Sequence, residues 1–310
     1  MFSTSKKSWP YTLFIIIVFI SVVAVPIFCS GVFESTDKAR RPIGPPLYYR
    51  DRAVVLIYHD FSDRECGTSI SSKHFQQHLD MLKREGFNIV SLNEIARFLN
   101  KQSKLPPNSV AITFDDGYQS NYFQAYPILK ARRLPATIFM IAGSESQPAD
   151  KGRMFLTPSQ LSEMAKNNMT IYSHTYKGHR MVEGAYPTGK AWLTTPLPGE
   201  SNTRYLRRIT RDLTRAKRVL DQQLGQQTEQ IAWPFGSYNQ SAIDAAHRSG
   251  YRYMWTTRHF PVTAASSPSE LGRVSVGRKG ITVGKLKSII LQVANNKPSP
   301  EQPPKERILP

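Results

Sequence analysis

Between residues 52 and 293, short apolar runs alternate with stretches of helical periodicity, and this alternation constrains the fold before any single residue does. Runs rich in β-branched and aromatic residues at 54–58, 88–91, 110–114, 136–141, 169–172, 230–233 and 251–255 predict strands. Between them, 73–85 predicts a helix capped by Ser72, with Phe75, Leu79 and Leu82 on one face. Further helices are predicted over 94–100, 121–132, 158–167, 203–223, 241–249 and 283–293. Repetition of this kind implies an α/β fold with a mainly parallel sheet. About seven to eight units favour a distorted (β/α) barrel over an open sheet.

Ahead of this region the pattern changes. Residues 11–28 are almost continuously apolar and carry no charge, which is about the length of a bilayer-spanning helix. The expected organisation is a cytoplasmic stretch at 1–10, a transmembrane anchor or uncleaved signal at 11–30, a linker at 31–50, a catalytic domain at 51–293, and a proline-rich disordered tail at 294–310. The domain is then expected outside the cell, attached to the membrane through its N-terminal segment, or secreted if that segment is cleaved. A monomer is expected.

Composition sets limits on partners. With 40% hydrophobic residues, 310 residues can bury one sizeable core or two small ones. The formal charge of +18, from 41 basic against 23 acidic residues, suits anionic surroundings. Nucleic acid is not an expected partner, because no zinc-finger spacing or aromatic-basic ribonucleoprotein motif is present. Arginines at 204, 207, 208, 211, 215 and 218 read as the solvated face of a helix whose buried stripe is Tyr205, Ile209, Leu213, Ala216 and Leu220. His74 and His78 share a helical face, but Phe75 stands where a zinc protease would need glutamate, so both read as flanks of the buried stripe. Cys29 and Cys66 are poorly placed for a disulfide.

Chemistry concentrates at strand ends. The run Val110 to Phe114 stops in Asp115, Asp116 and Gly117, so two carboxylates leave nearly the same place in different directions. Taken alone this is an Asp-Gly turn. A second apolar run, however, ends in Ser173-His174-Thr175-Tyr176-Lys177-Gly178-His179, and one carboxylate with two imidazoles is a common ligand set for a divalent metal. Tyr58-His59 and Trp233-Pro234 also fall at the C-terminal ends of predicted strands, the rim where such folds assemble their sites.

The Thr-Phe-Asp-Asp-Gly stretch, the Ser-His-Thr-x-x-x-His stretch and Trp233-Pro234-Phe235-Gly236 together resemble three signatures of the polysaccharide deacetylase family, the NodB-homology or carbohydrate esterase family 4. The resemblance covers roughly residues 54–293. It implies that Asp115 is the general base and that Asp116, His174 and His179 bind a divalent metal, zinc in the first place and cobalt, nickel, manganese or iron otherwise. It further implies that the Phe235 backbone amide helps to hold the oxyanion. His59, Tyr118, Trp233 and Pro234 are expected to contact substrate, an N-acetylglucosamine polysaccharide.

Two family features are missing. No arginine precedes Trp233 in the usual position, and Arg273-Val274-Ser275-Val276 occupies the region of the late Leu-x-His motif that supplies a general acid. His259, a water beside the metal, or a proton returning from Asp115 could each take that role. These departures, with Tyr58-His59 and Arg208-Ile209-x-x-Asp212-Leu213, are similar to the branch that deacetylates poly-β-1,6-N-acetylglucosamine, an exported biofilm polymer. Peptidoglycan or chitin-like N-acetylglucosamine is the alternative substrate. An iron oxygenase would use the same ligand set but leave Asp115 without a task. A non-catalytic polysaccharide-binding protein would not need all four residues.

Overall fold

The structure, a computed structural model, describes residues 46–149, 152–182 and 189–296. The expected anchor at 11–30 and the tail beyond 296 lie outside the described residues. Among the described residues no helix is long and apolar enough to cross a membrane.

The chain opens with β1 (Arg52–Tyr58), followed by the two-residue strands β2 (Asp60–Phe61) and β3 (Ser69–Ile70). Helix α1 (Ser72–Arg84) starts one residue before the expected position. Its cap is Ser71, whose extended backbone lets its hydroxyl accept the His74 amide. Then come β4 (Asn88–Ile89) and α2 (Leu92–Leu99), which begins early because Ser91 and Glu94 form a reciprocal capping box. Strand β5 (Ser109–Asp116) follows, with all eight residues buried.

The helix expected over 121–132 is divided into a π-turn at Asn121–Ala125 and α3 (Tyr126–Ala131). Pro127 has no amide hydrogen for the preceding turn, and the Tyr126 amide reaches back five residues to the Asn121 carbonyl instead. The remaining elements are β6 (Ala136–Met140), α4 (Pro158–Ala165), β7 (Met169–Ser173), α5 (Asn202–Leu224), β8 (Gln230–Ala232), α6 (Gln240–Arg248), β9 (Tyr253–Trp255), β10 (Val262–Thr263), β11 (Val274–Ser275) and α7 (Val283–Asn295).

The sheet runs β10-β1-β5-β6-β7-β8-β9, with β11 beside β1 and β4 beside β5. Among the described strands of this sheet only β10 pairs antiparallel, so the sheet is mixed, and it curls strongly into a half-barrel. The chain from Pro268 to Gly277 runs between the edges: Leu271 bridges Trp255, and the Val276 amide donates to the Ile57 carbonyl. Two-residue strands such as β10 and β11 leave too little periodicity to be predicted.

Alternation along β5 divides the interior. Val110, Ile112 and Phe114 face the core beneath α1, α3, α4 and α7, whereas Ala111 faces the inside of the curl with Val55, Phe139, Tyr172 and Trp255. Helix α2 closes the start of the strands with Leu92, Ile95 and Phe98. Helices α5 and α6 bury a third cluster around Ile209, Leu213 and Trp233.

The histidine pair on α1 is not a metal site. Both Nε2 atoms donate to the Ile281 carbonyl, at 2.9 Å from His74 and 2.7 Å from His78, and pin the turn that enters α7. His78 is fully buried and its Nδ1 accepts from the Tyr58 hydroxyl at 3.1 Å, an arrangement that requires neutral imidazole. Burial pushes its pKa down from 6.5 to about 4. The unfolded chain therefore binds a proton that the fold rejects, so stability is full above pH 6.5 and falls as pH drops toward 4. The shift corresponds to about 3 kcal/mol. Denaturant titrations at pH 7.5 and pH 4.5 should show His78→Gln losing less stability on acidification than the wild type, with groups common to both proteins cancelling.

Candidate metal centre and catalytic rim

Parallel strands in register bring the acids and the first histidine to one edge, since Asp116 pairs with Met140 and Met140 pairs with Ser173. By alternation Asp115 points into the curl and Asp116 would point away. Asp116 instead adopts a left-handed backbone, φ 73°, and swings over the rim. Gly117 continues the turn at φ 83°, where a Cβ would stand 2.1 Å from the Met140 sulfur.

Asp116 Oδ1 lies 3.5 Å from His174 Nε2 and 3.3 Å from His179 Nε2, and the three candidate ligand atoms lie within 4.8 Å of one another. Oδ1 is buried and accepts no hydrogen bond, which is costly for a carboxylate unless a cation faces it. His174 donates its Nδ1 hydrogen to the Ala232 carbonyl at 2.8 Å, which leaves the Nε2 lone pair directed into the cluster. Burial holds the His174 pKa down at about 4, so this imidazole stays neutral and able to ligate through ordinary pH. Burial raises the pKa of Asp116, but the three imidazoles of His179, His59 and His174 outweigh it and keep the carboxylate ionised. One carboxylate and two imidazoles with these orientations fit a divalent metal.

Asp115 is bound differently. Arg273, wholly buried inside the curl, grips it through two bonds, Nη1 to Oδ1 at 2.6 Å and Nη2 to Oδ2 at 2.9 Å. The same guanidinium donates to the Thr113 hydroxyl and to the Thr256 carbonyl, and lies 5.0 Å from the centre of the Phe139 ring. Burial alone would raise the Asp115 pKa, but the Arg273 charge and bonds, with His174 and His59 beside it, bring it down to about 2. No arginine directly precedes Trp233, and the guanidinium paired with Asp115 comes from Arg273, just ahead of β11. Its sequence signal was a lone arginine inside the apolar run Leu271 to Val276.

The other expected site residues divide. His59 follows β1 and stands beside both acids; its Nδ1 is buried without a hydrogen-bond partner. Phe235 adopts φ 59° and sets its ring 4.4 Å from that of His179. Tyr118 is mostly buried, stacked on Phe155 with the Arg153 guanidinium 4.0 Å from its ring. Trp233 is a correction: it has no exposed surface, because alternation along β8 turns it outward beneath α5 and α6, where it stacks on Tyr238. Pro234 is buried beside it. His259 is a second correction. It is exposed, and its carbonyl accepts from Asn296, close to the Ala294 carbonyl that receives Arg52 at the start of β1. That is the far end of the sheet from the acids.

An ionised, arginine-paired carboxylate beside a carboxylate and two imidazoles that fit a divalent metal suits a hydrolase. The family profile for polysaccharide deacetylase matches residues 102–254. YxkH of Bacillus subtilis, whose polysaccharide deacetylase name is provisional, is 31% identical over 232 residues, which cover 74% of each chain. A Staphylococcus aureus poly-β-1,6-N-acetyl-D-glucosamine N-deacetylase is 26% identical over 223 residues, 71% of this chain and 72% of that one. The structure of a de-N-acetylase from Aggregatibacter actinomycetemcomitans superimposes with a TM-score of 0.67 at 28% identity, over 77% of this chain and 100% of the other. The chain belongs to the polysaccharide deacetylase family and is a hydrolase of that kind.

Removing one partner of a fully buried ion pair strands the other charge. Arg273→Met should therefore cost about 3–5 kcal/mol in denaturant unfolding. In the surviving folded protein the Asp115 pKa should rise, so the acid limb of the pH–rate profile should move to higher pH.

Proposed function

We propose that this chain removes N-acetyl groups from an exported poly-β-1,6-N-acetylglucosamine. The observation that carries the reading is the division of labour between adjacent carboxylates: Asp115 is ionised and gripped by Arg273, while Asp116 faces two imidazoles with an oxygen that accepts no hydrogen bond. A zinc ion held by Asp116, His174 and His179 would supply Lewis acidity toward the attacking water and the acetyl carbonyl. Asp115 takes the proton of that water at its carboxylate. Arg273 holds that carboxylate ionised and ready to accept it. His59, with its buried Nδ1, stands on the same rim and can deliver a proton to the leaving nitrogen, a role the remote His259 cannot fill. The Phe235 amide, at the left-handed turn against His179, is the proposed oxyanion donor.

The β-1,6 linkage is supported by relatives named for that polymer at 26–27% identity, one of which, from Escherichia coli, is matched over 33% of its own length. The apolar segment at 11–28 supports attachment to the cell membrane with the catalytic domain outside.

Asp115→Asn keeps the shape and the ligands but removes the proton acceptor. Acetate release should fall about a hundredfold to ten-thousandfold while metal stoichiometry stays at the wild-type value. Asp116→Ala should lose metal and activity together. On defined oligomers, β-1,6-linked pentamers should be turned over better than β-1,4-linked pentamers and better than the monomer, because remote contacts assist the reacting sugar. Near wild-type turnover by Asp115→Asn would overturn the mechanism, and equal rates on the two linkages would overturn the substrate.

A further inference from the structure

His179 differs from the other two ligands in how it is held. Asp116 and His174 are fixed by strand ends and by backbone pairing, the His174 amide donating to the Met140 carbonyl at 2.7 Å. His179 lies in the connection from β7 to α5, and its side chain is about a quarter exposed at 24%. Something outside the sheet has to set its place.

The four residues between the histidines turn tightly. Thr175 takes φ 74°, and a Cβ on Gly178 would stand 3.1 Å from the Thr175 hydroxyl and from Leu193. At the back of this turn sits Asp212, on the third turn of α5 and nearly buried. Its Oδ1 accepts the Tyr176 amide at 3.1 Å, its Oδ2 accepts the Lys177 amide at 2.7 Å, and the Gly178 amide adds to the same carboxylate. A charged carboxylate buried against main-chain amides is unusual unless those amides must be held. One helical turn earlier, Arg208 secures the outer part of the same connection. It donates to the Trp192 and Thr195 carbonyls at 3.0 and 2.9 Å and pairs with Glu200 at 2.8 Å. The spacing of 208 and 212 puts both side chains on one helix face, which gives physical content to a pairing that the sequence offered only as a resemblance.

We propose that Asp212 is a positioning residue for the metal, fixing His179 by clamping the Tyr176 and Lys177 amides before any metal arrives. The proposal rests on reading Asp116, His174 and His179 as metal ligands. Asn in place of Asp212 would turn an NH2 group toward a main-chain donor, so at least one of these amide bonds is lost and the turn is free to move.

The test uses Co²⁺ alone as the probe, titrated into metal-free protein and followed by its visible absorption. Asp212→Asn, checked for folding by circular dichroism, should bind Co²⁺ about 10- to 100-fold more weakly than the wild type. Saturating Co²⁺ should restore most of kcat with KM unchanged. In a His179→Ala background the same substitution should change affinity no further, because the ligand it positions is gone. Unaltered affinity, or the same loss with and without His179, overturns the proposal while leaving the deacetylase reading intact. Should the variant not fold, hydrogen exchange of the metal-free wild type decides: the Lys177 amide should be protected, and exchange at the rate of an open loop overturns the proposal. A wild-type chain that binds no Co²⁺ overturns both readings.

Discussion

An arginine with no exposed surface is tolerable only when its nitrogens find acceptors and its charge is balanced, and Arg273 satisfies both conditions by reaching across the inside of the curled sheet. Its Nε meets the carbonyl of Thr256, just past β9, while its two terminal nitrogens meet Thr113 and Asp115 on β5. The side chain therefore links segments on opposite sides of the curl. The ionisation of Asp115 depends on this link. Fold and reactivity share one electrostatic contact.

The rest of the rim follows from ordinary backbone rules with two local exceptions. Parallel pairing aligns β5, β6 and β7 so that Asp116, Met140 and Ser173 end level. Left-handed residues then redirect side chains that alternation would send elsewhere, at Asp116 and at Phe235. Each such conformation is costly for a residue with a Cβ, and both occur beside His179, whose Nε2 lies 3.3 Å from Asp116 and whose ring lies 4.4 Å from that of Phe235. The Ala232 carbonyl completes the arrangement by fixing the tautomer of His174.

Much of this was legible in the sequence, because the informative signals were local. The strand ending in Asp115 and Asp116, the helix behind it and the paired histidines each declare themselves within a few residues. What was hidden depended on distance or on side-chain direction. Arg273 is separated from Asp115 by 158 positions, and nothing near it in the chain announces an ion pair. Trp233 looked like a rim aromatic because its motif ends at the rim, but the pleat turns it into the core. His259 was close in sequence to the strand ends, yet the chain descends after β9 to form β10 against the start of β1. The split helix at 121–131 required noticing that Pro127 lacks the hydrogen that the turn before it needs.

The clamp of Asp212 and Arg208 on α5 has a consequence for how such proteins diversify. The turn that carries His179 is secured from behind by a rigid helix, and from in front by the few residues of the following chain that touch it. Within that connection Trp192 and Thr195 are tied to α5 through Arg208 and Leu193 packs on Gly178, so change in the segment has to spare these anchors. A change at those anchors would reach the histidine turn through the helix, and a change between them would not.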